Sequence, residues 1–258
     1  MADEPNAFSI LCEIEPATTP DLRRVRRQIV AFDGVTDHFL IPDNHLGRAT
    51  VSSIAVAREV AALGGRAVAC VNSRDRNLLG FRRDLLTAAA YGVRDFLFVR
   101  GDDPVDGGRS DLTVRQMLTE ARAYPDADFS LGVTVRCGAT APAWKQDADF
   151  WLVQACYDID RLVAWRQTVD YPGQIFAGVL VMASAKMASR IAADLPEIDV
   201  PSELIGAFEH DPDAGVHAAL DLVAAVRRSG AFDGVHLVPV GRYQQVATLM
   251  RQVSPSSS

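Results

Sequence analysis

RAVACVNSRDRNLLGFRRDLLTAAAYGVRDFLFVRGD, residues 66–102, carries the clearest evidence of the fold. Its two ends contain short apolar runs, which are typical of buried strands. Between these runs, apolar residues recur every three to four positions, which is the period of an α-helix. A strand, a helix and a second strand in this order form a parallel βαβ unit. The stretch therefore predicts strands at 66–71 and 94–99, joined by a helix at 75–91.

The same alternation continues outward along the chain in both directions. Eight predicted strands, nearly all followed by a helix, indicate an α/β fold consisting of a single (β/α)8 TIM barrel. One βα unit near 136–148 is too short for a full helix, so we expect an abbreviated connection there. The predicted strands cover residues 8–13, 35–42, 66–71, 94–99, 129–135, 149–154, 174–181 and 233–238. The predicted helices cover 19–31, 51–63, 75–91, 110–123, 158–170, 184–193, 202–207, 211–229 and 241–253.

The composition favours one globular domain with a small-molecule partner. Of the 258 residues, 48% are hydrophobic, so we expect residues 1–253 to form the barrel and the polar residues 254–258 to be a disordered tail. The net charge of -7 argues against nucleic acid or an anionic membrane as the main partner, because both attract excess Lys and Arg. The sequence has no apolar run of membrane-spanning length and no cysteine–histidine cluster for a metal, and because its start MADEPNAF lacks basic and apolar regions we expect no signal peptide. We therefore expect a cytoplasmic protein without a metal site.

The first predicted strand ends in two glutamates. In a parallel barrel the reacting groups come from the carboxyl ends of the strands and from the loops that follow them. The two-residue period of a strand puts Glu13 and Glu15 on the same side of the backbone, so we expect both carboxylates to face the barrel mouth. The alternative is that the strand has already ended, which makes Glu15 a solvated loop residue.

Polar residues also follow other predicted strands. The fourth strand leads into Arg100, Gly101 and Asp102, where glycine permits a tight turn or the close approach of a ligand. A structural Arg–Asp ion pair is the alternative. Gln154 places an amide at the end of the sixth predicted strand, either as a ligand contact or as an ordinary loop residue. The segments 42–48 and 72–77 are dense in donors and acceptors, which suit an anionic or heterocyclic ligand.

Taken in order, these strand-end segments resemble a known enzyme family. The most specific segment is LFVRGDDP at 97–104. It is accompanied by Glu-x-x-Pro at 13–16, GVR at 92–94, QACYD at 154–158 and GVL at 178–180. Over nearly its whole length the chain resembles the 5,10-methylenetetrahydrofolate reductases. Members of that family are (β/α)8 barrels that reduce the methylene carbon of their folate substrate to a methyl group, usually through bound FAD.

The resemblance carries roles to single residues of this chain. It implies that Glu13 is the general acid and that Asp102 lies near the pterin. Because a free glutamate is ionised at neutral pH, the proton of Glu13 must be held by burial or by a neighbouring carboxylate, and we expect Glu15 to be that neighbour. The further substrate contacts that the resemblance implies are Arg100, Gly101, Gln154 and Arg242.

The sequence departs from the family at several positions that hold FAD. Cys70 stands where the flavin enzymes usually have a histidine. Their aromatic-Gly segment after the second strand is replaced by residues 42–44, and their Tyr-Pro-x-x-His segment after the fifth strand is replaced by residues 135–138. The flavin enzymes have a longer helix at this point, and its Asp and Lys hold FAD. In this chain the shortened connection near 136–148 replaces that helix. The chain thus resembles the actinobacterial subgroup in which NADH or NADPH donates hydride directly and FAD is absent. The residues expected to contact the nucleotide are Asn44, His45, Cys70 and Asn72.

Three alternatives stay open at this point. One is an FAD-dependent reductase with different cofactor contacts. The second is a reductase of a related pterin, or one that uses a deazaflavin donor. The third is a barrel that binds folate without catalysis. The choice between NADH and NADPH and the oligomeric state are also open.

Overall fold

The strands form the closed parallel barrel that the sequence predicts. The computed structural model describes residues 8–102, 110 and 112–253. Within them, eight parallel strands pair in chain order, and the last strand pairs with the first to close a TIM barrel. The strands are β1 Ser9–Glu13, β2 His38–Ile41, β3 Arg66–Asn72, β4 Asp95–Val99, β5 Ser130–Val135, β6 Phe150–Val153, β7 Gln174–Leu180 and β8 Gly234–Val238.

Helices connect the strands at the predicted places. Between β5 and β6 the described chain has only a short 3₁₀ helix, Ala143–Asp147, so the predicted abbreviated connection is confirmed. The α-helices of the described residues are α1 Arg23–Ala31, α2 Ser53–Ala62, α3 Leu78–Tyr91, α4 Val114–Arg122, α5 Ile159–Gln167, α6 Ala185–Asp194, α7 Ser202–Ala207, α8 Ala214–Ser229 and α9 Tyr243–Val253.

The stretch that predicted the fold shows how local signals set the boundaries. Helix α3 begins after Asn77, whose side chain accepts a hydrogen bond of 2.8 Å from the backbone N–H of Gly80. The helix ends at Gly92, where a φ of 72° suits glycine. Strand β4 follows almost at once and leads the chain to Arg100 at the barrel mouth.

The barrel interior is apolar except near the carboxyl ends of the strands. Its packed layer includes the side chains of Leu11, Leu40, Leu97 and Phe150. Gly132 makes room for this layer, because a Cβ atom there would lie 2.1 Å from the Phe150 ring. The packed layer fills the barrel interior, and two of its members, Leu40 and Leu97, also form part of the wall of a cavity at the carboxyl ends of the strands.

Two expectations concern residues that are only partly described. The predicted tail at 254–258 lies outside the described residues. That residues 1–253 form one catalytic domain stays a prediction. No helix in the described part of the chain has the length and apolar character needed to cross a membrane.

Candidate functional site

A cavity of about 610 Å³ opens at the carboxyl ends of the strands. Active sites of TIM barrels lie at this end, and sites for small molecules typically measure about 300–1,000 Å³. Most of the predicted site residues line this cavity, but Glu15, Asn44, Asn72 and Arg242 do not. The predicted residues in its wall are Glu13, His45, Cys70, Arg100, Gly101, Asp102 and Gln154.

Glu13 ends β1 with its side chain in the cavity. Its carboxylate Oε2 lies 3.2 Å from Nε2 of His236 on β8, and the two side chains are 19% and 14% exposed. This is ion-pair distance, but the two groups are not aligned for a hydrogen bond, and His236 Nε2 has no other partner among the described residues. A carboxylic acid at this position can donate a proton to a ligand in the cavity.

Glu15 does not share the cavity with Glu13, so the prediction that both carboxylates face the mouth is wrong. Its carboxylate pairs instead with Arg24 on α1. Its backbone N–H donates to Gln28 Oε1 at 2.7 Å and to the Tyr243 hydroxyl at 2.9 Å. The regular strand ends at Glu13, so the two-residue alternation no longer sets the direction of Glu15.

The turn after β4 places Asp102 at the mouth. Gly101 adopts a φ of 82°, and a Cβ atom there would lie 2.7 Å from Cβ of Asn72, so glycine is required on both counts. Asp102 Oδ2 accepts a hydrogen bond of 2.9 Å from the backbone N–H of Leu46 in the loop after β2. Asp102 therefore presents a negative charge to the cavity and also ties two mouth loops together.

A similar close approach positions Gln154 after β6. A Cβ atom at Gly178 would lie 2.4 Å from the carbonyl oxygen of Val153 and 2.7 Å from the backbone nitrogen of Ala155. Glycine on β7 thus lets the segment carrying Gln154 pack directly against the barrel. The Gln154 side chain lines the cavity and has no hydrogen-bond partner among the described residues, which leaves its amide available to a ligand.

Asn72 and Asn44 belong to a polar network behind the cavity, not to its wall. Asn72 is 2% exposed, and its Nδ2 donates to Asp43 Oδ2 at 2.9 Å and to Asp75 Oδ2 at 3.0 Å. Asn44 donates to the same Asp75 carboxylate and accepts from the backbone N–H of Thr50 at 3.1 Å. Both amides are already hydrogen-bonded to other groups of the protein and lie outside the cavity wall, so their positions do not support the expectation that they contact a nucleotide.

The same network buries a charged group beneath the mouth. The Arg76 guanidinium pairs with Asp43 at 2.5 Å, with Asp75 at 2.8 Å and with Asp84 at 2.7 Å. Burial raises the pKa of the Asp43 carboxyl, and the guanidinium offsets only part of that rise. The network holds the loops after β2 and β3 in place, and the buried Asp43 forms part of the cavity wall.

Two further predicted residues differ in their positions. Cys70 points into the barrel at the cavity floor, where burial raises the pKa of its thiol and keeps it protonated. Arg242 lies outside the cavity, because its guanidinium donates to the carbonyl oxygen of Ala183 at 2.8 Å and pairs with Asp213 at 3.2 Å. Arg242 therefore fastens neighbouring loops, and the prediction that it contacts substrate is not supported.

Two ionisable side chains of the cavity wall, His236 and Arg136, were not predicted from the sequence. His236 lies on the inward face of β8, between the buried Val235 and Leu237. Arg136 is exposed directly after β5, at the strand end next to that of Arg100. The alternation around His236 and the position of Arg136 at a strand end were the available signals.

The mouth can hold anionic groups of a ligand or cofactor. Arg100 and Arg136 are exposed in the cavity wall, and neither forms an ion pair with a residue in the described ranges. Guanidinium groups bind carboxylates and phosphates well because their donors match the geometry of two oxygen atoms. In the same cavity, Glu13 can donate a proton to a bound ligand, and Asp102 can stabilise positive charge that develops on it.

Sequence comparisons relate the chain to one enzyme family. A family model described as methylenetetrahydrofolate reductase matches residues 144–254, less than half of the chain. The 5,10-methylenetetrahydrofolate reductase of Escherichia coli is 22% identical over 185 residues, which cover 64% of this chain and 61% of that protein. The enzyme of Pectobacterium carotovorum is 22% identical over 163 residues, covering 55% and 54%. The matched region thus spans about three fifths or less of these relatives, and the similarity supports the family at low identity.

Solved structures show similarity in fold. A Clostridium thermocellum protein, described as binding two copies of 5-methyl-5,6,7,8-tetrahydrofolic acid, has a TM-score of 0.65 and 12% identity, and the match covers 95% of this chain and 94% of that one. The Bacillus cereus spore cortex-lytic enzyme SleL has a TM-score of 0.59 and 13% identity, with 95% and 74% covered. At these identities the likeness concerns the barrel itself and not its chemistry.

Proposed function

We propose that this protein reduces 5,10-methylenetetrahydrofolate to 5-methyltetrahydrofolate with hydride taken directly from NADH or NADPH, without bound flavin. The observation that carries the proposal is the shared cavity of Glu13, Asp102 and Gln154. These residues have the roles of acid, anion and pterin-binding amide in the family that the chain resembles. The sequence comparisons support the same reaction.

The chemistry begins with a proton. Glu13 donates it to N10 of the folate, the bond from N10 to the methylene carbon breaks, and an iminium cation forms at N5. Asp102 stabilises this cation because it holds negative charge close to the pterin. Gln154 orients the pterin by hydrogen bonds from its amide. The iminium carbon then accepts hydride from C4 of the nicotinamide, which leaves as the oxidised nucleotide.

The residues at the family's FAD positions do not fit that cofactor. The histidine of β3 is replaced by Cys70, whose protonated thiol packs among apolar side chains at the cavity floor. The helix that carries the FAD-binding Asp and Lys is replaced by the 3₁₀ helix Ala143–Asp147. Its Lys145 donates to the carbonyl oxygen of Thr134 at 2.6 Å. These differences support a flavin-free reaction, so no step in the proposal passes through FAD.

The nicotinamide nucleotide is a second substrate in this proposal. His45, Arg100 and Arg136 are side chains of the wall that suit its phosphates and ribose groups. Both substrates must occupy the mouth together, because without a bound flavin no group stores the hydride between the departure of one substrate and the arrival of the other. Holding the two reacting carbons in contact can lower the barrier by several kcal/mol, about 7 to 11 at the extreme.

A folate-binding protein without turnover is the second candidate. The Clostridium thermocellum protein of similar fold is described as binding 5-methyl-5,6,7,8-tetrahydrofolic acid, with no activity named. Such a protein would bind folate in the same cavity and leave NADH unoxidised.

The deciding experiment combines a spectrum with a product assay. We expect the purified protein to show no flavin absorbance near 450 nm and to convert methylenetetrahydrofolate and NADH into 5-methyltetrahydrofolate, detected by mass spectrometry. Stoichiometric bound FAD would favour the flavin enzyme, and turnover only with a reduced deazaflavin would favour that donor. Folate binding without any product would contradict the reductase and support the second candidate.

A further inference from the structure

The side chains of His236 and Glu13 both line the cavity and lie within ion-pair distance of each other. Strand β8 directs it inward, and its register partner on β7 is Gly178, which has no side chain to cover the ring. Nε2 of the imidazole lies 3.2 Å from Oε2 of Glu13. Other ionisable groups also face this cavity, so the pair is not isolated from charge. They are Asp43, His45, Cys70, Arg100, Asp102 and Arg136.

The proposed reaction consumes one proton in every turnover. The bond between N10 and the methylene carbon breaks as N10 takes the proton of Glu13. Hydride from the nicotinamide forms the new C–H bond, so the folate carbon is reduced and the nucleotide is oxidised. Glu13 is left as a carboxylate and must regain a proton before the next turnover.

Glu15 cannot return that proton, because its carboxylate lies outside the cavity against Arg24. Histidine is the side chain that ordinarily gains and loses a proton between about pH 5 and 8. At 3.2 Å from Glu13, His236 needs only a small change in alignment to form a hydrogen bond, and catalytic hydrogen bonds are often misaligned before substrate binds.

We infer that His236 is the proton donor that restores the acid form of Glu13, and that the two side chains share one transferable proton. This inference rests on the proposed function, since it gives Glu13 a proton to lose. Solvent protons reach His236 through the cavity, and the pair then delivers them to N10. His236 therefore acts on the substrate through Glu13.

The first test uses His236→Ala, with His210→Ala as the control because His210 is exposed on the outer surface. We expect kcat to fall about tenfold or more, with both KM values within about threefold, and imidazole added to the buffer to restore turnover in proportion to its protonated fraction. His210→Ala should match the wild-type protein in every assay. An unchanged kcat, or a loss that imidazole does not restore, would overturn the inference.

A second measurement does not depend on activity or on the alanine variant folding. In protein labelled with ¹⁵N-histidine, His236→Gln identifies the His236 ring signals by their absence. Glu13→Gln should then shift those signals and leave the other four histidines unchanged. No shift would overturn the proton-sharing pair. If the wild-type protein makes no 5-methyltetrahydrofolate and the shift is still seen, the proposed function is refuted and the pair stands.

Discussion

The carboxylate of Asp102 accepts a hydrogen bond of 2.9 Å from the backbone N–H of Leu46. This contact joins the turn after β4 to the loop after β2 across the mouth of the barrel. Leu46 has a φ of 57°, in the left-handed region that a leucine rarely adopts, so its loop depends on such ties. Asp102 thus contributes both negative charge and loop structure.

Two substitutions at Asp102 separate these contributions. Asp102→Asn keeps an oxygen that can accept from Leu46 but removes the charge. We expect it to lower kcat by about tenfold to a hundredfold, because the iminium cation loses its counter-charge, with little change in unfolding temperature. Asp102→Ala should add a higher folate KM and faster proteolysis of the 44–48 loop. Equal behaviour of the two variants in steady-state kinetics and limited proteolysis would contradict the double role.

Glu13→Gln tests the general acid. The amide keeps the shape of the side chain but cannot donate the proton, so we expect kcat to fall by at least about a hundredfold while folate affinity stays within a few-fold. Glu59→Gln is the matched control, because Glu59 faces Arg26 on the outer helices and an exposed ion pair contributes about 0–1 kcal/mol. A Glu13→Gln protein that keeps more than about a tenth of the wild-type rate would place the acid elsewhere.

Gly101→Ala tests the turn that carries Asp102. The new Cβ would lie 2.7 Å from Asn72 at a φ of 82°, so we expect a loss of about 2–3 kcal/mol in the free energy of unfolding and reduced activity. Gly34→Ala has a similar φ of 72° with open space around it, so it should cost only the backbone strain of about 1–2 kcal/mol. Urea unfolding compares the two. Equal losses would show that the contact with Asn72 does not matter.

His38, at the start of β2, predicts how stability depends on pH. Burial, with a smaller contribution from Arg66, lowers its pKa from 6.5 to about 4, and Asp37 opposes the shift. Between these two values the unfolded chain binds a proton that the folded chain does not, so stability falls as pH decreases from 6.5 to 4. His38→Gln should lose less stability over this interval, by about 2 kcal/mol.

The check for His38 is urea unfolding at a series of pH values. His210→Gln should follow the wild-type curve, because His210 is exposed. Parallel curves for His38→Gln and the wild-type protein would contradict the account of His38.

The barrel could be predicted because each βα unit carries its own signals. In the 66–102 stretch, the strand periods, the helix period and Gly92 all act over a few residues, so the order of elements follows from local patterns. The position of Glu13 in the cavity was also predictable. A carboxylate that ends an apolar strand of a parallel barrel is placed where such barrels have their active sites. His236 could have been found by the same reasoning applied to β8.

The wrong predictions concern side chains whose positions are set by contacts with residues distant in the sequence. Glu15 follows the end of the regular strand, and its direction is set by Arg24, Gln28 and Tyr243. Asn72 satisfies Asp43 and Asp75, which is a buried network that no short motif reveals. Strand ends alone cannot distinguish a side chain that lines a cavity from one that supports its wall.

Direct hydride transfer from NADH to the folate can be tested by following a single hydrogen atom. The protein is supplied with methylenetetrahydrofolate and with NADH that carries deuterium at one face of C4, and the product is examined by mass spectrometry. Direct transfer predicts that one of the two labelled forms of NADH gives a methyl group with one deuterium per turnover and no label in the solvent. If deuterium from NADH labelled at either face is lost to solvent, and double-reciprocal plots at several fixed folate concentrations are parallel, an intermediate carrier takes the hydride. That result would contradict direct transfer.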